Sequence, residues 1–570
     1  MDIDEDNGYS YPENMAEVEV LKGRVDLNKT NFQLEDKDVD RLNFIQCDEF
    51  NEKVRWSNPH RLGLFYDKFL EAFTFRTVFY REATYPFFGI YLNMPGHSYT
   101  TIYSIFQMFW SIKFFFGFLS DTKPIFGKAR SYYMAIGWTI AALAFGVSLL
   151  VPYPESYYAV TQCRLNTSVV QNSDAPDSGF IYALAIGLAA MGVAMVDCCS
   201  DALSVDYTKR ETSKRRGWTI VGTLSCTNVG AAALYLMVGF GLNSPAYRGS
   251  FCDLPLTYQH VLMVYLATCV LGLLNSLLLT YDIPLSRDMT QVSIKSKMRG
   301  FWHLMQDRVF LRCAVLFLLS PALRLQSSGA VKIRKNWAEV QPLEGSVVAA
   351  LSALVGALVV VIYQKLRKQL FQKLFQSWIF SYIAIKFICM SATVVVDSVT
   401  VFDLVRNQYF YFLGDLADSV HLAFGSCILM QLAAEIPTEG LEALTFSMFM
   451  SNWTVMSIVG RMAANLISAP FNVIEDERYF RDDSEDRLRV FGSVFAVFIL
   501  NIVCLLAVFF LCPRDKSHVH QLKKELGKSK FLAKVYLVVF VLMYLFSFVY
   551  LLLMMNRQFQ CWIVLGGNGC

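Results

Sequence analysis

Charged residues are scarce in this sequence. Asp, Glu, Lys and Arg make up 17% of its 570 residues, whereas a soluble globular chain carries about a quarter. The net charge is only +3, which is too small to indicate binding to nucleic acid. With 54% hydrophobic residues and a mean hydropathy of +0.37, the composition excludes an ordinary soluble domain and indicates a membrane protein.

The sequence also lacks the short motifs of common enzymes and pumps. It contains no G-x-G-x-x-G after a strand, no G-x-x-x-x-G-K-[ST] and no H-E-x-x-H. The fourteen cysteines show no metal-ligand spacing, and we expect most of them to fill helix contacts. We therefore predict a protein that is not an enzyme, needs no cofactor or metal, and is not an ATP-driven pump.

Long apolar runs dominate what is present. About 20 apolar residues cross a membrane as a helix, and these runs are too long for barrel strands. The sequence therefore predicts an all-α, polytopic protein with six helices, a basic linker, six more helices and one extra. The predicted spans are 67–92, 99–120, 132–151, 179–204, 218–240, 259–282, 309–328, 345–363, 377–400, 409–436, 441–467, 490–512 and 531–554.

The domain organisation follows from these runs. The first residues are polar and acidic and lack the apolar core of a signal peptide, so we expect a disordered cytosolic tail. Span thirteen has no polar face, so we expect it to cross the membrane at the periphery rather than lie on its surface. The predicted units are a tail at 1–60, one half at 61–282, a cytosolic linker at 283–308, a second half at 309–512, and a basic linker, extra helix and tail at 513–570.

The loop charges predict the orientation. Lys and Arg concentrate in the segments after spans two, four, six, eight and twelve, and such loops stay cytosolic. The segment 332–337 (KIRKNW) is an exception, because this prediction places it outside. Asn166 of the sequon Asn166-Thr167-Ser168 lies outside and is the expected glycosylation site, whereas Asn28 and Asn452 are not expected to carry glycans.

Two cysteines fall in the outer loops after spans three and five. Cys163 and Cys252 could form a disulfide, because that side of the membrane is oxidising. The alternative is two free thiols.

The segment 110–138 (WSIKFFFGFLSDTKPIFGKARSYYMAIGW) carries the sharpest motif. Gly117 permits close helix approach, and Asp121 can pair with a base or cap a neighbouring helix. Together with Lys128 and Arg130, these residues resemble the signature of the major facilitator superfamily between helices two and three, which builds a cytosolic gate latch. The alternative is a charged turn between two helices.

In its longer form this segment resembles the folate–biopterin transporter family. The shared pattern includes Lys113 and S-D-T-K-P-I-F-G-K-A-R, although Phe114 replaces the family's proline. GVAMVDCCSDALSVDYTKRE (192–211) and EIPTEGLEALTFSMFMSNW (435–453) are similar to two further family segments. The resemblance implies the six-plus-six fold, a midplane site lined by helices one, four, seven and ten, and proton-linked transport of folates or pterins.

Ionisable residues inside the predicted spans are costly, so they are candidates for the transport pathway. Asp197 and Asp201 are four residues apart and share a helix face, and Lys113 lies at a depth where it could neutralise Asp197. The alternatives are that Asp201 is hydrated at the helix end and that Lys113 reaches the interface. The predicted substrate or proton pathway comprises Arg76, Arg81, Glu82, Lys113, Asp197, Asp201, Arg324, Asp415 and Asp418.

These observations predict a secondary transporter of folate or pterin solutes, coupled to protons and working by alternating access. Its partners would be a small-molecule substrate, protons and the lipid bilayer, and the expected location is the plasma membrane, with an organelle membrane as the alternative. Two other functions remain open. The same machinery could carry a different organic anion or nutrient, or the chain could be a non-transporting membrane receptor.

Overall fold

The structure is a computed structural model of the whole chain. The residues it describes are 59–79, 84–94, 102, 106–161, 164–211, 217–252, 256–282, 293–320, 325, 327–366, 378–437, 440–471, 473, 482–511, 522, 525–554 and 562. The predicted tail at 1–60 therefore lies almost entirely outside the described residues.

The described residues of the first half include six α-helices and one hairpin. Polar caps set several of the helix starts; the side chain of Thr257, for example, accepts a hydrogen bond from the backbone N–H of His260 at the start of α6. A short antiparallel hairpin, which the sequence did not predict, lies between α3 and α4. The elements are α1 Pro59–Phe79, α2 Lys113–Thr122, α3 Ser131–Leu150, β1 Tyr158–Thr161, β2 Arg164–Val170, α4 Ala175–Lys209, α5 Trp218–Gly241 and α6 Tyr258–Leu278.

An amphipathic linker helix and the second half follow. Asp307 accepts a hydrogen bond from Val309 N, and Asn407 one from Tyr409 N, at the starts of the helices that follow them. The elements are the linker helix α7 Ile294–Met305, then α8 Arg308–Leu319, α9 Ser328–Lys332, α10 Pro342–Leu366, α11 Trp378–Val401, α12 Gln408–Ala434, α13 Glu442–Ser468 and α14 Ser484–Leu511, and finally the extra helix α15 Lys530–Met554.

The two halves repeat one irregularity. In each half a short π-helical turn follows the first long helix, Pro86–Tyr91 in one half and Ile333–Trp337 in the other. Each turn is followed by a non-glycine residue with positive φ, Asn93 at 49° and Glu339 at 49°. A shared departure from regular helix geometry indicates an internal repeat.

This repeat corrects one expectation from the loop charges. The segment 332–337 is not an outer loop, because Lys332 ends α9 and residues 333–337 form the π-helical turn. Its basic residues nevertheless lie towards the hairpin end, so the segment remains an exception to the charge pattern.

Two large apolar cores hold the bundle together, and the core of the second half also includes Val205, Ile220 and Val221 of the first half. One core packs α3, α4 and α6 with the first π-helical turn, and the other packs α8, α12 and α13 with α15. The halves meet along two seams, α2 against α13 and α5 against α10. Among the described helices, nine are long and apolar enough to cross a membrane, and α15 is one of them. The predicted all-α, six-plus-six fold with an added helix is confirmed.

Two names describe the ends of the bundle below. The basic end carries the Lys- and Arg-rich segments after α2 and α4, and the hairpin end carries β1 and β2. The loop charges predict that the basic end is cytosolic.

Candidate functional site

Five buried charged residues meet in the first half, and we call them the five-charge cluster. Its members come from α1, α2 and α4, and none has a side chain more than 12% exposed. They are Lys68, Glu71, Lys113, Asp197 and Asp201.

Each lysine of the cluster bridges both aspartates. Lys68 Nζ lies 2.7 Å from Asp197 Oδ1 and 2.6 Å from Asp201 Oδ1. Lys113 Nζ donates to Asp197 and lies 3.0 Å from Asp201 Oδ2. The spacing of four residues on α4 turns both carboxylates towards α1 and α2, because residues four apart share a helix face. The structure thus brings together Lys113, Asp197 and Asp201.

Glu71 completes the cluster and is joined to Asp197 through Lys68. Its Oε2 accepts hydrogen bonds from Lys68 Nζ at 2.9 Å and from Ser200 Oγ at 3.3 Å. Lys68 Nζ therefore contacts Glu71 and Asp197 together, at 2.9 and 2.7 Å. Three carboxyl groups face two lysines in the cluster, so the cluster is neutral only when one carboxyl group holds a proton.

The sequence did not single out Lys68 and Glu71. The first span was placed at 67–92, which put both residues at its edge, whereas α1 begins at Pro59 and holds them in its interior. Their spacing of three residues on one helix face was the available signal. Asp67, beside them, is also buried and accepts a hydrogen bond from Trp138 Nε1 on α3 at 2.9 Å.

The predicted latch at the end of α2 joins the two halves. Asp121 Oδ1 lies 2.6 Å from Arg130 Nη1, and its Oδ2 accepts the backbone N–H of Leu444 at 2.7 Å. Leu444 is in the first turn of α13, where a carboxylate satisfies an orphan N–H and complements the helix dipole. Lys297 of the linker helix donates to the carbonyl oxygen of Asp121.

Gly117 lets α2 approach α13 closely. A Cβ at this position would lie 2.1 Å from Ser447 Oγ and 2.6 Å from the carbonyl oxygen of Ala443. Lys128, by contrast, does not contact Asp121. It is exposed and lies over the ring of Tyr132, so Arg130 is the base of this latch.

A second layer of ion pairs closes the basic end. Lys209 at the end of α4 lies 3.0 Å from Glu442 Oε1 and donates to the carbonyl oxygen of Pro437 at 2.9 Å. Arg130 lies 3.5 Å from Asp206 and 3.9 Å from Glu442. The two halves are therefore held together at the basic end.

The second half carries a different set of charges. Arg334 on the second π-helical turn contacts Asp415 on α12, with Nη1 at 3.1 and 2.9 Å from the two carboxylate oxygens. One turn further along α12, Asp418 accepts a hydrogen bond from the Thr393 hydroxyl at 3.2 Å. His421 lies 3.6 Å from Asp418.

Several residues of the predicted pathway lie outside the part of the chain that the structure describes. Arg81, Glu82 and Arg324 lie outside the described residues, as does the side chain of Arg76. Among the described residues, no group of three or more His, Cys, Asp or Glu could hold a metal ion.

The hairpin end contains the predicted modification sites. Asn166 lies on β2, and its Oδ1 accepts hydrogen bonds from the backbone N–H and hydroxyl of Ser168. Cys252 is disulfide-bonded, but Cys163 lies outside the described residues, so their pairing stays a prediction. Asn452 is fully buried in α13, and that it carries no glycan stays a prediction.

Ion pairs at the hairpin end fix the second π-helical turn. The guanidinium of Arg406 lies 5.4 Å from the ring centroid of Trp337 and contacts Asp482 at 2.8 Å. Arg487 contacts the same carboxylate at 2.8 Å. The hydrogen bonds from these two arginines hold the pKa of Asp482 well below its usual range.

Solved structures share this arrangement of helices. The chain is similar to a D-xylose–proton symporter, with a TM-score of 0.53 and 10% identity over 81% of this chain and 98% of that one. It is also similar to the E. coli fucose:proton symporter, with a TM-score of 0.49 and 11% identity over 78% and 97% of the two chains. Identities this low show the fold alone. The first of these likenesses shows that the fold is of the major facilitator type.

The family follows from the sequence itself. The model of the BT1 family matches residues 75–526, so the chain belongs to the BT1 family, the folate–biopterin transporter family. The resemblance drawn from the segments at 110–138, 192–211 and 435–453 is thereby confirmed. No curated protein sequence matches the chain.

Proposed function

We propose that this protein is a secondary transporter of folate or pterin solutes in which the five-charge cluster couples solute movement to a proton. The observation that carries the proposal is that three carboxyl groups, those of Glu71, Asp197 and Asp201, meet two lysines in this buried cluster. The excess carboxyl group supports a held proton in the first half, since an uncompensated buried charge is costly. Family membership supports the solute class, and the plasma membrane is the proposed location.

Helix α2 connects this proton site to the latch. Lys113, Gly117 and Asp121 are spaced by four residues and follow one side of α2. Lys113 binds the aspartates of α4, Gly117 contacts α13, and Asp121 caps α13. The ionisation of the α4 carboxylates therefore controls how strongly α2 is held to α4, and α2 in turn forms the seam that opens and closes.

Alternating access then proceeds by rocking of the two halves. In the conformation described here the basic end is closed by Asp121, Lys209 and their partners. Loss of the held proton leaves the cluster with a net charge of −1. The two lysines must then rearrange their contacts with the three carboxylates. Charges buried in a low dielectric interact strongly. This change therefore destabilises the position that α2 takes when the basic end is closed relative to its position when that end is open.

The proposal is tested with purified protein in proteoliposomes. Uptake of radiolabelled folic acid and biopterin is measured with and without an inward proton gradient, beside a panel of other organic anions and nutrients. Gradient-stimulated uptake of a pteridine supports the proposal. Uptake of another solute alone indicates the alternative substrate class, and high-affinity binding without uptake indicates a receptor.

The role of Asp197 is examined in the same assay. Asp197→Asn is expected to abolish the stimulation by the proton gradient more than it weakens solute binding. Gradient stimulation that is unchanged in the variant excludes Asp197 as an essential member of the proton site.

A further inference from the structure

The ion pair between Arg334 and Asp415 differs from the five-charge cluster in its access to water. The two side chains are 33% and 30% exposed, whereas Lys68 and Lys113 are only 4% and 3% exposed. The basic end is closed, so we expect this water to reach the pair from the hairpin end. A solute entering there meets the guanidinium of Arg334 before it meets the buried lysines.

The pair is not in the strongest geometry that an arginine and a carboxylate form. Both oxygens of Asp415 approach the same nitrogen, Nη1, at 3.1 and 2.9 Å. The strongest arginine–carboxylate pairing instead uses two parallel N–H···O bonds from two nitrogens. A partly exposed pair of this kind contributes little stability, so a carboxylate of the solute can compete with Asp415 for the guanidinium.

The turn that carries Arg334 is held firmly in place. Ile333 and Trp337 on either side of it are buried, and Arg406 covers the ring of Trp337. A fixed guanidinium is suited to recognising a planar carboxylate. Asp418 lies one turn from Asp415 on α12 with a side chain that is also 30% exposed, and it can accept from an N–H edge of the same solute.

We infer that Arg334 is the residue that binds a carboxylate of the solute, and that Asp415 occupies the guanidinium until the solute displaces it. The inference rests on the proposed function and adds to it the discrimination between carboxylated and uncarboxylated solutes. Folic acid carries two carboxylates on its glutamate, whereas biopterin carries none. Arg334 therefore selects for folic acid and is of little importance for biopterin.

The test compares the two solutes in variants of the full-length protein. Arg334→Gln should raise the half-saturation concentration for folic acid on the order of ten- to a hundredfold, because a charge-assisted hydrogen-bonded pair is lost. Biopterin uptake should change by less than about twofold, since it makes no such pair. Asp415→Asn should tighten folic acid binding, because the competing carboxylate is gone. Arg489→Gln, in which an exposed arginine of α14 that pairs with Glu485 is replaced, is the matched control and should alter neither solute.

The outcomes separate this inference from the proposed function. Equal losses of folic acid and biopterin uptake in Arg334→Gln, or no loss of either, overturn the inference, as does weaker folic acid binding in Asp415→Asn. A protein that carries biopterin but no carboxylated solute overturns the inference and leaves the proposed function intact. A protein that carries another carboxylate through Arg334 but no pteridine overturns the proposed substrate class and supports the inference.

Discussion

Replacing Gly117 by alanine should weaken the seam between α2 and α13. The added Cβ would lie 2.1 Å from Ser447 Oγ and 2.6 Å from the carbonyl oxygen of Ala443. The hydroxyl can rotate away, but the carbonyl is backbone, so the helices must separate by roughly 1 Å to restore an ordinary contact. Overpacking of this kind costs about 1–3 kcal/mol, against which the better helix propensity of alanine returns up to ~1 kcal/mol.

This cost applies only while the seam is closed. The variant should therefore shift the population away from the conformation with a closed basic end, by a factor of up to about a hundred. The shift is measured as alkylation of Ser451→Cys, one turn along α13 from Ser447, by an impermeant maleimide applied from the basic end. Peptide mass spectrometry distinguishes the introduced cysteine from the native ones.

Gly146→Ala provides the matched control for this prediction. Gly146 lies on α3, and a Cβ there would meet nothing within 4 Å. The variant therefore gains the same helix propensity from alanine without overpacking a helix contact. Alkylation should rise in Gly117→Ala and stay at the wild-type level in Gly146→Ala. Equal alkylation in both variants would refute the role of Gly117 in closing the seam.

Two further predictions concern the orientation in the membrane and the extra helix α15. Asn166→Gln should remove one glycan in a gel-shift assay; retention of that glycan in the variant would contradict the placement of the hairpin end outside. Phe540 on α15 packs against Phe114 on α2, with ring centroids 6.2 Å apart, and Tyr544, one turn further along α15, lies near Ser111. Ser547 donates to the carbonyl oxygen of Val455 on α13, so α15 contacts both halves. Cross-linking cysteines placed at Ser111 and Tyr544 should arrest transport, because the cross-link ties α15 and the second half to the first half. Cross-linking cysteines at Val455 and Ser547 should leave transport active, because both positions move with the second half. Equal transport rates in the two cross-linked variants would show that α15 does not span the moving seam.

The sequence predicted the part of the site that lies on single helices. The spacing of Asp197 and Asp201 placed both on one face of α4, and an acid inside an apolar run indicated function because burial of a charge is costly. Lys113 was matched to Asp197 by depth alone, and the structure places them in contact. The role of these residues in transport stays a proposal.

The residues that were missed lie where the helices are irregular. The π-helical turn that carries Arg334 has five residues, far below the length of a spanning helix, so its charges suggested a loop. Lys68 and Glu71 were overlooked because the polar start of α1 hid its boundary. The contact between Asp121 and Leu444 joins residues 323 positions apart, and no local pattern specifies such a pairing.

The most direct test of the central claim uses Glu71→Gln, which keeps the shape of the side chain but removes one of the three carboxyl groups of the cluster. Proteoliposomes are loaded with a pH-sensitive dye, and proton entry is recorded when folic acid or biopterin is added outside. Counterflow of labelled solute is measured in parallel, since exchange needs no net proton movement. The variant should retain counterflow and lose solute-driven proton entry. Proton entry at the wild-type ratio to solute in Glu71→Gln would contradict the claim that the five-charge cluster carries the coupled proton.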